Sequence, residues 1–272
     1  MKALATDLDR TLLPNGRWEA DPQAIELFNR LTREQDTYVI YVTGRSLALT
    51  EQAIAEFGIR HPHVLIGDVG TTIREYRDGH WSFDDDWIAH VRAQSPRWDV
   101  AGIKNAVTEI DGLSEQPPEN LNPFKQSYFV DHDRSDAILE LVDERVKGHF
   151  DESAIYSFDS QSGEGLLDFL PKSANKQTAL EFVAAKLGLE KSAVVFCGDS
   201  GNDVFPLTAG FSGVLVRNAD EQLVSSVKQA QAASPDLKVY FAQGGFQGLS
   251  GYYTSGVIEG ACHYGVLDFP AS

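Results

Sequence analysis

Short apolar runs separated by amphipathic stretches fill the chain up to about residue 75, a rhythm that suits consecutive strand and helix units of a parallel sheet. Ala3 to Leu8 reads as the first strand, Tyr38 to Val42 as the second and Val64 to Ile66 as the third. Between them, Asp21 and Pro22 mark a helix start, and Ala24, Ile25, Leu27, Phe28 and Leu31 fall on one helical face. Ser46 is placed to cap a second helix that stops at Gly58. Arg77-Asp78-Gly79-His80 then reads as a tight hairpin, because Asp-Gly tolerates the positive φ angles such turns need.

The rhythm changes from Trp81 to about Phe158. A Trp-rich helical stretch leads to a polar linker from Ser114 to Asn122, then a strand near Lys125 to Val130, a helix and another strand. This reads as a second domain inserted into the first. After a Gly/Ser loop, Ser160 to Gly165, α/β rhythm is expected to resume. Strand Leu166 to Leu170, helix Asn175 to Leu187, strand Ala193 to Cys197 and strand Gly213 to Val216 follow. Four glycines between Gly244 and Gly251 suggest a surface loop before a last helix with Val257 and Ile258. The expected fold class is α/β, a Rossmann-like doubly wound parallel sheet formed by residues 1–80 and 160–272, with 81–159 inserted.

Composition narrows the partners. With 272 residues and 42% hydrophobic content the chain can bury a full core. A formal net charge of −17 speaks against nucleic acid or an anionic membrane, which call for clustered Lys and Arg. Two cysteines, Cys197 and Cys262, exclude a disulfide framework. No window approaches about 18 apolar residues, and the N-terminus enters a strand at once, so a cytoplasmic, soluble protein is expected.

The candidate chemistry lies at strand ends. Asp7-Leu8-Asp9-Arg10-Thr11 closes the first strand with two carboxylates two residues apart, where open α/β sheets bind ligands. Acidic residues also end strands in solvated turns, so this pentapeptide needs support. Gly198-Asp199-Ser200-Gly201-Asn202-Asp203 provides it, ending a second apolar strand in two more acids. Acids that converge are costly without a cation, and hard oxygen ligands suit Mg²⁺; simple helix capping accounts for part of Asn202 and Asp203. Thr43-Gly44-Arg45 follows the second strand, so a hydroxyl and backbone N–H groups face a crevice where a phosphate can sit. Lys176 at a helix start is unfavourable beside the positive dipole end unless it faces an anion.

These four segments, in this order, resemble the four motifs of haloacid dehalogenase-like (HAD) superfamily phosphatases. The resemblance implies that Asp7 is the nucleophile and becomes an aspartyl-phosphate, and that Asp9 is the general acid and base. It implies Mg²⁺ held by Asp7, the Asp9 backbone carbonyl and Asp199, with Asp203 binding directly or through water and Thr43, Lys176 and Asn202 steadying the phosphoryl group. Gly44 and Arg45 join the phosphate side of the site, and Arg10, at a variable position, receives no role. The insertion resembles the large α+β cap that sets specificity in sugar-phosphate phosphatases.

Over most of its length the chain is most similar to sucrose-phosphate phosphatases. Asn122-Pro123-Phe124-Lys125-Gln126-Ser127-Tyr128 looks like the cap segment whose lysine, here Lys125, contacts the sugar. Leu167-Asp168-Phe169-Leu170-Pro171, the G-D-S-G-N-D form at 198–203 and Ser255 to Gly260 carry the rest. Asp159 to Gly165 looks longer than the corresponding connection. The implied reaction is hydrolysis of sucrose 6-phosphate to sucrose and phosphate. Alternatives are a phosphatase for mannosylfructose-phosphate or mannosyl-3-phosphoglycerate, a phosphomutase or transferase of the same superfamily, and a non-catalytic sugar-phosphate binding subunit. A binder has no need of the Asp7 and Asp9 pair. The implied partner is a small sugar phosphate, with neither nucleic acid nor membrane, and a monomer in transient contact with a sugar-phosphate synthase is expected.

Overall fold

The computed structural model describes residues 2–159 and 163–270, which form two compact units, Met1–Phe83 with Lys176–Ser272 and Asp84–Asn175. In the first unit the chain runs β1 (Ala3–Thr6), α1 (Ala24–Glu34), β2 (Tyr38–Val42), α2 (Leu47–Phe57), β3 (Val64–Gly67), β4 (Thr72–Arg77) and β5 (His80–Phe83). The second unit holds α3 (Asp85–Gln94), α4 (Val100–Val107), β6 (Leu113–Glu115), β7 (Gln126–Val130), α5 (Ser135–Val146), β8 (Glu152–Asp159) and β9 (Glu164–Pro171). The first unit is completed by α6 (Lys176–Lys186), β10 (Val194–Gly198), α7 (Val204–Thr208), β11 (Ser212–Leu215), α8 (Glu221–Ala233), β12 (Val239–Phe241) and α9 (Thr254–His263).

The larger sheet has the order β12-β11-β10-β1-β2-β3-β4-β5; β12 to β3 pair in parallel, and β4 runs the opposite way, antiparallel to both β3 and β5. β1 lies between β10 and β2, and its residues Ala3, Leu4 and Ala5 are buried on both faces, as a central parallel strand requires. Leu4, Leu8, Phe28, Leu31, Tyr41, Val195, Val214, Val257 and Ile258 share one core, which explains why the apolar stripe of α1 and the apolar end of the chain read as they do. Ser46 caps α2, its Oγ accepting from Leu49 N–H, and Gly58 closes the helix in the left-handed region at φ 68°. The second unit is a four-stranded antiparallel sheet, β6-β7-β9-β8, over a separate core of Ile103, Val107, Tyr128, Val130, Ile138, Val142 and Phe169.

The α/β class with an inserted α+β unit is as expected, but its boundaries move. The first falls after Phe83, because Trp81 lies on β5 and pairs with Tyr76 of the core hairpin. The second falls after Asn175. The run Leu166 to Leu170 does not resume the core; as part of β9 it is paired on both flanks, by β7 and β8. A continuous apolar run is compatible with either sheet, so only long-range pairing decides. Ser160, Gln161 and Ser162 of the expected Gly/Ser loop, including the expected boundary at 160, lie outside the described residues. The polar linker contributes β6, and the stretch Gly244 to Gly251 is tied down: Glu259 accepts from the N–H of Gln243 and Gly244, and Asp21 from Ser250 N–H. Among the described residues no helix is long and apolar enough to cross a membrane.

Candidate active site

Two neighbouring strands deliver the acids. In the β1–β10 pair Thr6 lies opposite Cys197, and Asp7 N–H donates to Cys197 O at 2.9 Å. Asp7 and Asp199 therefore leave the sheet side by side at its C-terminal edge. Beyond Gly198 the chain turns sharply back, because the N–H groups of Asp199 and Ser200 donate to Asp203 Oδ2 at 3.1 and 3.2 Å. Gly198 permits this closure: a Cβ there would lie 2.6 Å from Asp203 Cβ. Carboxylate oxygens of Asp7, Asp199 and Asp203 consequently lie within 4.8 Å of one another, all three side chains buried.

Lys176, the first residue of α6, answers part of this charge. Its Nζ lies 3.0 Å from Asp7 Oδ1 and donates to Asp203 Oδ1 at 2.8 Å and Asn202 Oδ1 at 3.1 Å. The helix-start lysine thus faces two carboxylates, which reverses the dipole penalty. Burial works to lower its pKa, yet the charges of Asp203 and Asp7 raise it above the ordinary lysine value, so it stays protonated. Burial pushes the Asp7 carboxyl up to about 7 despite Lys176, with Asp203 and Asp9 adding to the rise. Asp199 is also held well above the carboxyl range, by burial first and by Asp203 and Asp7 next.

Asp9 belongs to a different set of contacts. Its carboxylate accepts from Arg45 Nε at 2.8 Å and Nη2 at 2.6 Å and from Asn15 Nδ2 at 2.6 Å. Burial raises its pKa, but these hydrogen bonds and the Arg45 charge together hold it below the ordinary value, so this carboxylate is ionised. Arg45 is aimed by its loop. Thr43 is fully buried and its Oγ1 accepts from Arg45 N–H at 3.2 Å, while Gly44 is exposed. Two further backbone donors grip the same loop, Asp68 N–H to Arg45 O at 2.9 Å and Val69 N–H to Thr43 O at 3.0 Å. Both donors sit at positive φ, 51° and 62°. For the β-branched Val69 this costs roughly 1–2 kcal/mol, a strain kept where it shapes a loop.

Of the expected residues, Asp7, Lys176, Asn202 and Asp203 are thus joined with Asp199 through direct contacts, and Asp9, Arg45 and Thr43 form a second contact set. The Asp9 side chain is not among the clustered carboxylates. Lys125 lies in the second unit, buried, its Nζ donating to Asn120 O at 3.0 Å and lying 3.4 Å from Asp168 Oδ1. Three residues without an assigned role join the site. Thr11 Oγ1 donates to Asp199 Oδ1 at 2.9 Å, Asn15 supports Asp9, and Arg10 Nε lies 3.2 Å from Asp199 Oδ2. The donor set fits Mg²⁺. It is made of hard carboxylate oxygens, and Asp199 Oδ2 is buried and accepts no hydrogen bond, although the Arg10 Nε faces it at 3.2 Å.

The chain has relatives among known proteins. A family model described as sucrose-6F-phosphate phosphohydrolase matches residues 1–265. A HAD-like protein of Nitrosococcus oceani is 38% identical over 263 residues, 96% of this chain and 71% of that one. Sucrose-phosphatase 1 of Nicotiana tabacum is 29% identical over 232 residues, 81% of this chain and 51% of its own length, so the chain spans about half of that relative. A mannosylfructose-phosphate phosphatase of Agrobacterium fabrum is 26% identical over 269 residues, 98% of both chains. Among solved structures, the sucrose-phosphatase of Synechocystis sp. PCC6803 in complex with sucrose and phosphate superposes with a TM-score of 0.75 at 26% identity, covering 97% of each chain. The chain belongs to the sucrose-6F-phosphate phosphohydrolase family, among the haloacid dehalogenase-like phosphatases.

Proposed function

We propose that the chain hydrolyses a sugar phosphate, sucrose 6-phosphate first among the candidates, through a phosphoryl group carried on Asp7. The observation that carries this reading is the position of Asp7: a carboxylate at a strand end, paired to Lys176 at 3.0 Å and grouped with two further buried acids. In the first step an Asp7 oxygen bonds to phosphorus as the sugar oxygen departs, taking a proton from Asp9. In the second, Asp9 draws a proton from water, whose oxygen bonds to phosphorus and frees Asp7 and phosphate. Arg45 keeps Asp9 ionised, the form the second step uses; to carry a proton in the first, Asp9 must leave Arg45. Lys176 holds Asp7 in place and counters charge on the phosphoryl oxygens. Asp7, Asp199 and Asp203, with the Asp9 carbonyl, would hold Mg²⁺, which supplies two positive charges to the phosphoryl group when bound.

For specificity, residues 84–175 would act as the cap and Lys125 would reach the sugar after exchanging its contact with Asp168 for one with substrate. Similarity over 98% of the Agrobacterium phosphatase supports mannosylfructose-phosphate as the second substrate reading. A phosphate-release screen with Mg²⁺ over sucrose 6-phosphate, mannosylfructose phosphate and other sugar phosphates tests the proposal. Turnover is expected with a disaccharide phosphate and a loss of at least about 10³-fold in Asp7→Asn, with a cooperative melting transition retained. Wild-type-like turnover in that variant would refute the role of Asp7.

A further inference from the structure

Arg10 follows Asp9 and stands against the acid cluster in a backbone conformation, φ 56°, that L side chains rarely adopt. Four contacts hold it there. Its N–H donates to Asn15 Oδ1 at 2.8 Å and its carbonyl accepts from Asn218 Nδ2 at 2.7 Å. Its Nε lies 3.2 Å from Asp199 Oδ2, and its Nη2 donates to Asp220 Oδ2 at 3.4 Å. The two carboxylates differ in setting: the Asp199 side chain is fully buried, whereas those of Arg10 and Asp220 are 35% and 48% exposed. Asp220 is also tied to the site by its backbone, its N–H donating to Asp199 O at 2.8 Å.

Charge makes the arrangement informative. Asp7, Asp199 and Asp203 bring three acids into a buried space, answered by two cations, Lys176 and Arg10. Lys176 is buried and committed to Asp7, Asp203 and Asn202. Arg10 has a surface carboxylate to move to, and the oxygen it faces, Asp199 Oδ2, is the one with no hydrogen-bond donor. A guanidinium beside that oxygen and a divalent cation on the same oxygen exclude each other by like charge. We propose that Arg10 is a built-in counter-ion that neutralises Asp199 while the cation site is open and withdraws to Asp220 as Mg²⁺ binds, so that Arg10 and Asp220 together set the metal affinity. Arg10 is thus a positioning residue acting through Asp199, and the inference rests on the Mg²⁺ reading of the cluster.

Calorimetric titration of chelator-treated protein with MgCl₂ tests it, using wild type, Arg10→Asn, Asp220→Asn and the double variant. Asn accepts a left-handed backbone, so the loop keeps its path; Arg10→Gly, unstrained at this φ, serves if Arg10→Asn does not fold. Arg10→Asn is expected to bind Mg²⁺ about tenfold more tightly, the loss of one charge-assisted competitor. Asp220→Asn is expected to bind it about three- to tenfold more weakly, having lost the place to which Arg10 retreats. In the double variant the Asp220 effect should vanish, leaving affinity near that of Arg10→Asn. Unchanged or weaker binding in Arg10→Asn, or an Asp220 effect of equal size in both backgrounds, overturns the inference and leaves the metal reading intact. Wild-type protein that takes up no Mg²⁺ overturns both.

Discussion

The ionisation of Asp7 links the site to stability. Burial raises its folded pKa to about 7, above the value it has in the unfolded chain, so the folded state binds the extra proton. Such a group disfavours folding increasingly as pH rises from about 4 to about 7, and Asp199, raised for the same reason, acts in the same sense. Asp9 works the other way: its lowered pKa contributes stability above its unfolded value, lost as pH falls through the folded one. The net prediction for chelator-treated protein is a melting temperature that falls from about pH 5 to about pH 8, more steeply in wild type than in Asp7→Asn. Excess Mg²⁺ should flatten the fall, since a cation favours the ionised acids. A melting temperature indifferent to Mg²⁺ at the higher pH would count against the cation site. At this scale Asp7, Asp199, Asp203 and Lys176 were readable because each sits in a short segment with a local oddity, an acid ending an apolar strand or a cation at a helix start. Arg10 and Asn15 carry no such mark. Arg10 acquires meaning only from Asp199, which folding brings to it from the far part of the chain, and from a φ that composition does not reveal.

Elements determine how tightly the acids gather. The turn from β10 into residues 201–203 brings Asp203 under Gly198, where a Cβ would meet Asp203 Cβ at 2.6 Å and Cγ at 2.7 Å. Gly198→Ala is therefore expected to destabilise the fold by about 1–3 kcal/mol through overpacking and to weaken Mg²⁺ binding in the same variant. Thermal melts paired with metal titration check both effects; a variant with wild-type melting and affinity would show that the turn has room to spare. The strands and helices before residue 83 were readable because caps, hairpin residues and apolar periodicity agree with one another there. β9 was misplaced for a definite reason. Its residues Leu166 to Leu170 suit either sheet, and the partners that decide, Gln126–Val130 and Glu152–Asp159, are reached only by antiparallel pairing within the second unit. α8 and β12 went unread because the first is largely polar and the second is a three-residue edge strand.

Each unit has a core of its own, one around Leu4, Phe28 and Val257 and one around Ile103, Val142 and Phe169, and among the described residues the clustered acids belong to the first unit. A ligand stabilises what it binds, so calorimetric unfolding should resolve two transitions, of which Mg²⁺ raises one and leaves the other in place. One cooperative peak that moves as a unit would mean that the cores do not melt separately. With a formal charge of −17, the proposed binding of an anionic substrate would depend on Lys176, Arg45 and a bound cation rather than on the general field of the protein. The most direct test of Asp7 as the group that carries phosphate is chemical. Turnover of a ³²P-labelled disaccharide phosphate with Mg²⁺, stopped in acid and mapped by peptide, should place acid-stable label on the segment containing Asp7, and none in Asp7→Asn. Label on any other residue, or steady turnover by Asp7→Asn, would contradict it.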